Sequence, residues 1–429
     1  MRIVAAILIC AASALAHPNH LPAAETEALD RCREEVAASS AKAAAAPDNL
    51  ALRASLGDAC LKLARITTDH ADFARAEAAL RKVYDADPFG EWAPYGLAYA
   101  LVGQHRFAEA LAFARRAAFQ QPDEPETLAL ICDVHLSLGN TIESRAIAQR
   151  MADAEITLES LSRLSLAQHA CGDMDEAVVS MREAIEAGGM LDAPPRSLAW
   201  CRSMLGDFAM ERGDLDGARV EHEAALLLDP GCHHARWQLA RIDLRAGNAE
   251  DARGTMLSVV AAFPKPVYLV TLGDAYKAVG GADSERLAAE AYKTGEDRML
   301  AELGVDGLGH IRELVEFWLL HGGDAGKAAD LSLRDLKEVR QDWGAYDTAA
   351  WALYKAARVS EAVPLALEAQ LRNSGDARSQ CRAGIVLIAG GRKIEGRRLV
   401  SLALLRRDAF ETALAAEGAD ALKSSAGGP

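Results

Sequence analysis

Residues 199–230 read AWCRSMLGDFAMERGDLDGARVEHEAALLLDP, and the small residues in front of the final proline decide the fold. Gly206, Ala218 and Ala225 stand where two antiparallel helices would approach most closely, and Gly213 stands where the chain must turn between them. The frame recurs: Pro264 follows Pro230 by 34 residues, as Pro122 follows Pro88. Ala76, Ala110, Ala218 and Ala252 each lie twelve positions before their proline. A single helix pair cannot bury its apolar face alone, so a period of this length predicts an all-α solenoid in which successive pairs stack.

With the proline numbered 32 in its unit, small residues are expected at positions 8, 20 and 27, with glycine or a substitute near 15. The unit before Pro122 supplies Ala98, Ala110 and Ala117, and the unit before Pro264 supplies Ala240, Gly247 and Ala252. Drifted units keep the register through Cys132 and Gly139, through Gly172, Ala177 and Ala184, and through Leu272, Gly273 and Tyr276. Towards the carboxyl end, Ala350, Ala362 and Ala369 mark one unit, and Gly384, Gly391 and Ala403 another. With a degenerate unit near Trp318 and Ala328, the count is about ten. An insertion, Ile66 to Ala71, is expected between the helices of the first unit. A second one, Gly189 to Arg196, carries Pro194-Pro195 and must break a helix.

Met1-Arg2, the apolar run Ile3 to Ala14 and the small-x-small site Ala14-Leu15-Ala16 read as a secretory leader, so the mature chain would begin at His17. Cys10 as a lipid attachment site fits less well, because Ile9 fills the position before it. The expected organisation is a leader at 1–16, an amino-terminal segment and helix at 17–46, and units one to four at 47–188. The insertion at 189–196, units five to ten at 197–422 and a disordered tail at 423–429 complete it. No later stretch is long and apolar enough to cross a bilayer.

Half of the residues are apolar while aromatics make up only 5%, which suits close-packed helices with small residues at their contacts. A formal charge of −15 repels phosphate backbones and argues against a nucleic-acid partner. Removing Cys10 with the leader leaves an odd number of cysteines, so no full disulfide framework is implied. Cys32 and Cys60 can face each other on adjacent helices, and a disulfide or two thiols both stay open there. Cys132 occupies position 8 and is expected as a buried thiol.

The chain resembles bacterial tetratricopeptide-repeat proteins, and the order of its units resembles one exported family of that class, for which no defined activity is known. Leu56-Gly57-Asp58-Ala59, Phe73 to Leu80, Gly188 to Ala199, His321-Gly322-Gly323-Asp324 and Thr348 to Ala356 carry that resemblance. It implies a right-handed α-solenoid superhelix of about ten helix-turn-helix repeats, whose concave groove binds a peptide or protein. Positions 2, 5, 9 and 12 of each first helix would face the groove. They place Trp92, Tyr95 and Tyr99 there, then Trp200 and Asp207, then His234, Trp237 and Arg241, then Asp347, Trp351 and Tyr354. Large rings and arginine are the residues enriched at binding hot spots, although such rings also close seams between repeats. Asp133, Asp207, Asp274 and Asp347 outnumber Arg241 and Lys277 on this census, which suggests a partner with basic or amide groups.

Candidate chemistry is sparse. Cys232-His233-His234 points neighbouring side chains in different directions, a poor start for a metal site. Gly304-Val305-Asp306-Gly307-Leu308-Gly309 lacks a preceding strand, so a linker explains it better than a dinucleotide fingerprint. Around Gly326-Lys327, His321 and Ala328 replace the first glycine and the hydroxyl residue of a phosphate loop. No His-Glu-x-x-His or Gly-x-Ser-x-Gly occurs. The expectation is a non-enzymatic, exported scaffold without a cofactor, in the periplasm or outside the cell, binding a protein or peptide. The alternative is a copper-handling accessory that uses the freed amine of His17 together with His20.

Overall fold

The computed structural model describes residues 23–67, 69–90, 92–306, 311–373 and 375–425. Among them the chain is all-α, with 22 α-helices, one 3-10 turn at Arg407–Ala409 and no strand. Helix α1 (Ala23–Ala45) precedes ten helical hairpins. The first five are α2/α3 (Leu50–Thr67, His70–Ala86), α4/α5 (Trp92–Gly103, Phe107–Gln120), α6/α7 (Pro125–Ser137, Thr141–Ala154), α8/α9 (Leu158–Ala170, Met174–Met190) and α10/α11 (Pro195–Arg212, Leu215–Leu228). The others are α12/α13 (His233–Ala246, Ala249–Ala262), α14/α15 (Pro266–Val279, Ala282–Asp306), α16/α17 (Ile311–His321, Ala325–Glu338), α18/α19 (Trp343–Lys355, Val359–Arg372) and α20/α21 (Ala377–Ala389, Lys393–Leu404). Helix α22 (Thr412–Ser425) closes the stack.

The repeat register explains the packing. Ala76, Ala110, Ala218 and Ala252 are all 0% exposed, each at the closest approach of its two helices. Gly206 serves the same approach differently: a Cβ there would sit 2.6 Å from the imidazole of His222 on the facing helix. Where the small apolar pair is replaced by polar atoms, those atoms are bonded. The Cys132 thiol lies 3.3 Å from the Ser144 hydroxyl, which donates to the Cys132 carbonyl, and Ser165 Oγ donates to the Ala177 carbonyl at 2.6 Å. Burial pushes the Cys132 thiol up to about 12, the inert thiol expected at that position. All seven cysteines among the described residues are free, so Cys32 and Cys60 form no disulfide.

In hairpins two to ten a left-handed residue follows the end of the first helix. At Gly213 φ is 81°, and the next amide, Asp214 N–H, reaches back to the Ala209 carbonyl at 3.0 Å, closing a Schellman turn. Two other hairpins place His105 (φ 57°) and Ala357 (φ 59°) at the same point. In three hairpins the second helix then starts from a carboxylate cap, as where the Asp214 carboxylate accepts from Gly217 N–H at 2.9 Å.

Two expectations are corrected. The insertion expected over Ile66 to Ala71 is taken up largely as helix, since α2 continues to Thr67 and α3 begins at His70. The tail from Lys423 stays helical through Ser425, since Arg397 Nη1 donates to the Leu422 carbonyl and to Ser425 Oγ, each at 3.0 Å. The insertion after α9 does break the helix, with Pro195 in the first turn of α10.

The stack curls far enough for its carboxyl-terminal hairpins to touch the third, fourth and fifth. A Cβ built on Gly139 would lie 2.8 Å from the Asp342 backbone nitrogen, one on Gly172 would meet the Asn373 side chain at 3.1 Å, and one on Gly213 would lie 3.1 Å from the Ala409 nitrogen. Turns inside hairpins three, four and five thus rest on the connections that follow hairpins eight, nine and ten. Arg245 Nη1 ties the same seam by donating to the Asp408 carbonyl at 3.1 Å.

Candidate functional site

Where the two coils meet, the first helices of hairpins five to ten and the segment at 409–411 enclose a cavity of about 510 Å³. A second cavity of about 440 Å³ adjoins it and shares Glu211 and Asp376. Of the groove residues expected from the sequence, Asp207, Trp237, Arg241 and Asp347 line the larger cavity together.

Asp207, on α10, organises one wall. Its carboxylate holds His234 Nε2 at 2.8 Å and accepts from Gln238 Nε2 at 2.6 Å, both on α12, while His222 Nε2 stands 3.6 Å away. Burial alone would raise this carboxyl, but the two histidines and Gln238 carry it below the usual carboxylate value. Trp237 is fixed through Nε1, which donates to Thr271 Oγ1 at 2.8 Å. Arg241 lies over the Trp237 ring at 5.0 Å and donates to Gln238 Oε1 at 2.8 Å.

An ion network forms the opposite wall. Glu316 accepts from Arg378 and from Arg382 at 2.7 Å each, Arg382 also reaches Asp347 at 3.0 Å, and Arg378 Nε reaches Glu411 at 3.0 Å. Burial opposes ionisation of Glu316, yet the two guanidiniums drive its carboxyl far below normal. Asp376 shows the reverse: burial, with Glu211 and Asp347 nearby, raises it to about 6. Glu211 itself is held by His169 Nε2 at 2.7 Å.

The remaining expected anchors lie elsewhere. Tyr99, 2% exposed, sits in the amino-terminal core with the Arg65 guanidinium over its ring at 4.5 Å, and Tyr95 packs beside it. Trp351, 4% exposed, is sandwiched in the carboxyl-terminal core by Tyr354, Lys355 and Arg382. Trp200 packs against the core between α9 and α10. These rings pack against the hairpin cores and not into the cavity. The side chain of Trp92 lies outside the described residues, as do the leader, His17 and His20.

Sequence reasoning also missed Glu316, Arg245, Arg378 and Arg382. Arg378 and Glu316 fall at positions 2 and 9 of hairpins ten and eight, so the groove census would have found them had it been extended to those units. The histidine pair separates: His233 Nδ1 meets the Tyr268 hydroxyl at 2.6 Å, while His234 turns to Asp207.

Residues 68–131 and 209–271 match a tetratricopeptide-repeat family model, and residues 158–187 match a second one. No curated protein matches the chain. Among solved structures, MamA from Desulfovibrio magneticus RS-1 is similar at 14% identity over 43% of this chain and 97% of its own, with a TM-score of 0.35. A human IFIT1 dimer with PPP-AAAA is similar at 16% identity over 83% of this chain and 72% of its own, with a TM-score of 0.41. The matched stretches are thus tetratricopeptide repeats, and they fall within the run of ten helical hairpins.

Proposed function

We propose that the chain is an exported, non-enzymatic scaffold that holds a protein or peptide partner on its concave side, with the periplasm as its compartment. The observation that carries this reading is the Trp237 wall. A large amphipathic ring, held by Thr271 and topped by a guanidinium, faces the cavity where first helices of six hairpins converge. The net charge of −15 favours a protein over a nucleic acid as the partner.

The test is comparative capture from the native envelope with carboxyl-terminally tagged full chain, wild type against Trp237→Ala, with helix content checked for both. A protein retained by wild type and lost from the variant supports the reading. An identical set from both removes the concave wall as the site. Amino-terminal sequencing of the envelope form tests export, and a start at His17 is expected.

A further inference from the structure

By sign alone the groove residues are mainly acidic, but most of these charges are already paired. The carboxylates of the sequence census are engaged: Asp133 by Nε and Nη2 of Arg163 at 3.0 Å each, Asp207 by His234 and Gln238, Asp274 by the Tyr292 hydroxyl at 2.8 Å, Asp347 by Arg382. Glu316 and Glu411, which also face the cavity, are engaged by arginines. Two cations are not. Arg241 and Arg245, one helical turn apart on α12, both line the cavity, and among the described residues neither has a carboxylate within ion-pair distance. Their acceptors are neutral: the Gln238 amide oxygen at 2.8 Å and the Asp408 carbonyl at 3.1 Å. Arg378 lines the same space from the opposite coil.

Confining like-charged guanidiniums away from bulk water is unfavourable unless an anion joins them. Burial of Arg241 and of Arg245 disfavours their charged forms more than the nearby Glu411 carboxylate favours them, and Arg378 adds repulsion to both. Beside the arginines lies an apolar surface made by Trp237, Val267, Val270, Phe317 and Phe410, and by Leu320, whose side chain is 50% exposed. A volume of about 510 Å³ is that of a small-molecule pocket.

We infer that this cavity is a binding site for a small amphipathic anion, a carboxylate or phosphate monoester carried on a flat apolar body. Its head group would be bound by Arg241 and Arg245, and its body would lie against Trp237 and the aliphatic wall. The guanidinium forks suit either oxyanion. The site shares the Trp237 wall with the scaffold reading, so a small ligand and a protein partner would compete there, but anion binding is measured without any partner.

The test is calorimetric titration of the full chain with phenyl phosphate and with phenylacetate, using benzyl alcohol and benzylamine as neutral and cationic controls. At least one anion is expected to bind about tenfold or more tightly than either control, and whichever anion is preferred identifies the head group. Arg241→Gln with Arg245→Gln should weaken that binding at least about tenfold, while the double lysine variant, which keeps both charges, retains most of it. Binding of benzyl alcohol as tight as that of the anions overturns the inference, as does no heat from either anion or an unchanged affinity in a folded double glutamine variant. Should that variant fail to fold, the comparison of anions with controls on wild type still decides. A wild-type chain that binds phenyl phosphate but captures no protein would remove the scaffold reading alone.

Discussion

Gly139, in the turn of the third hairpin, and Asp342, at the start of the ninth, meet so closely that the Asp342 amide nitrogen occupies the space a side chain at 139 would need. Asp342 is fixed twice over: its carboxylate accepts from Ala345 N–H at 2.8 Å, capping α18, and from Arg312 Nη2 at 2.8 Å. Gly139 is left-handed at φ 75°, and Gly247 at φ 84° is left-handed with nothing within 4 Å of a built Cβ. Gly247→Ala should therefore cost only conformational strain, about 1 kcal/mol. Gly139→Ala adds a collision with rigid backbone and should cost roughly 2–4 kcal/mol or separate the coils. Denaturation midpoints and small-angle scattering check both. Equal losses at the two sites would mean that the coils do not touch in solution.

Ala357 occupies the left-handed position at φ 59° without glycine's freedom. Ala357→Gly relieves the Cβ strain and gives back part of it as unfolded-chain entropy, so stability should rise by roughly 0.5–1 kcal/mol. A thermal midpoint that falls would show that the strain is absent.

Trp351 and Trp237 separate structure from surface. Trp351→Ala empties a packed core and should cost about 3–5 kcal/mol, seen as early melting. Trp237 is half-buried with one hydrogen bond, so Trp237→Ala should cost less, and its main effect should fall on capture. A Trp351 variant as stable as wild type would contradict its placement in the core.

Two cavity carboxylates should pull stability in opposite directions with pH. Glu316 is lowered in the folded state, so its contribution is present above its unfolded value, about 4.3, and is lost as pH falls further. Asp376 is raised to about 6, so its favourable contribution is present below its unfolded value, about 3.9, and is lost as pH rises through 6. Asp376→Asn, which keeps a residue suited to capping α20, should stabilise the protein by on the order of 1–3 kcal/mol at pH 7.5 and have little effect near pH 4. Urea midpoints across that range test the sign. A variant weaker than wild type at pH 7.5 would show that Asp376 is stabilised as an anion.

The hairpins were legible because a small residue at a fixed spacing is a local requirement. Ala218 has to be small wherever the stack goes, and Gly213 must turn whatever lies beyond it. The seam was not legible. Nothing near Gly139 or Gly213 in the sequence names Asp342 or Ala409, since coil-on-coil contact follows from small rotations summed over several hairpins. The site was legible in part for the same reason. Asp207, Trp237 and Arg241 come from two neighbouring helices and share one register, whereas Arg378 and Phe410 reach the cavity only through the curl. Trp351 misled because position 9 faces the groove in one hairpin and lies under the next in another.

An open solenoid behaves mechanically as a loose spring, extending by small rotations between neighbours with little resistance. In this chain adjacent coils bear on each other at Gly139, Gly172 and Gly213, which makes it a spring compressed to solid height. Pulled from its ends, it should resist until the coils part and only then lengthen hairpin by hairpin, so rigidity would be a property of the whole winding and not of any one repeat.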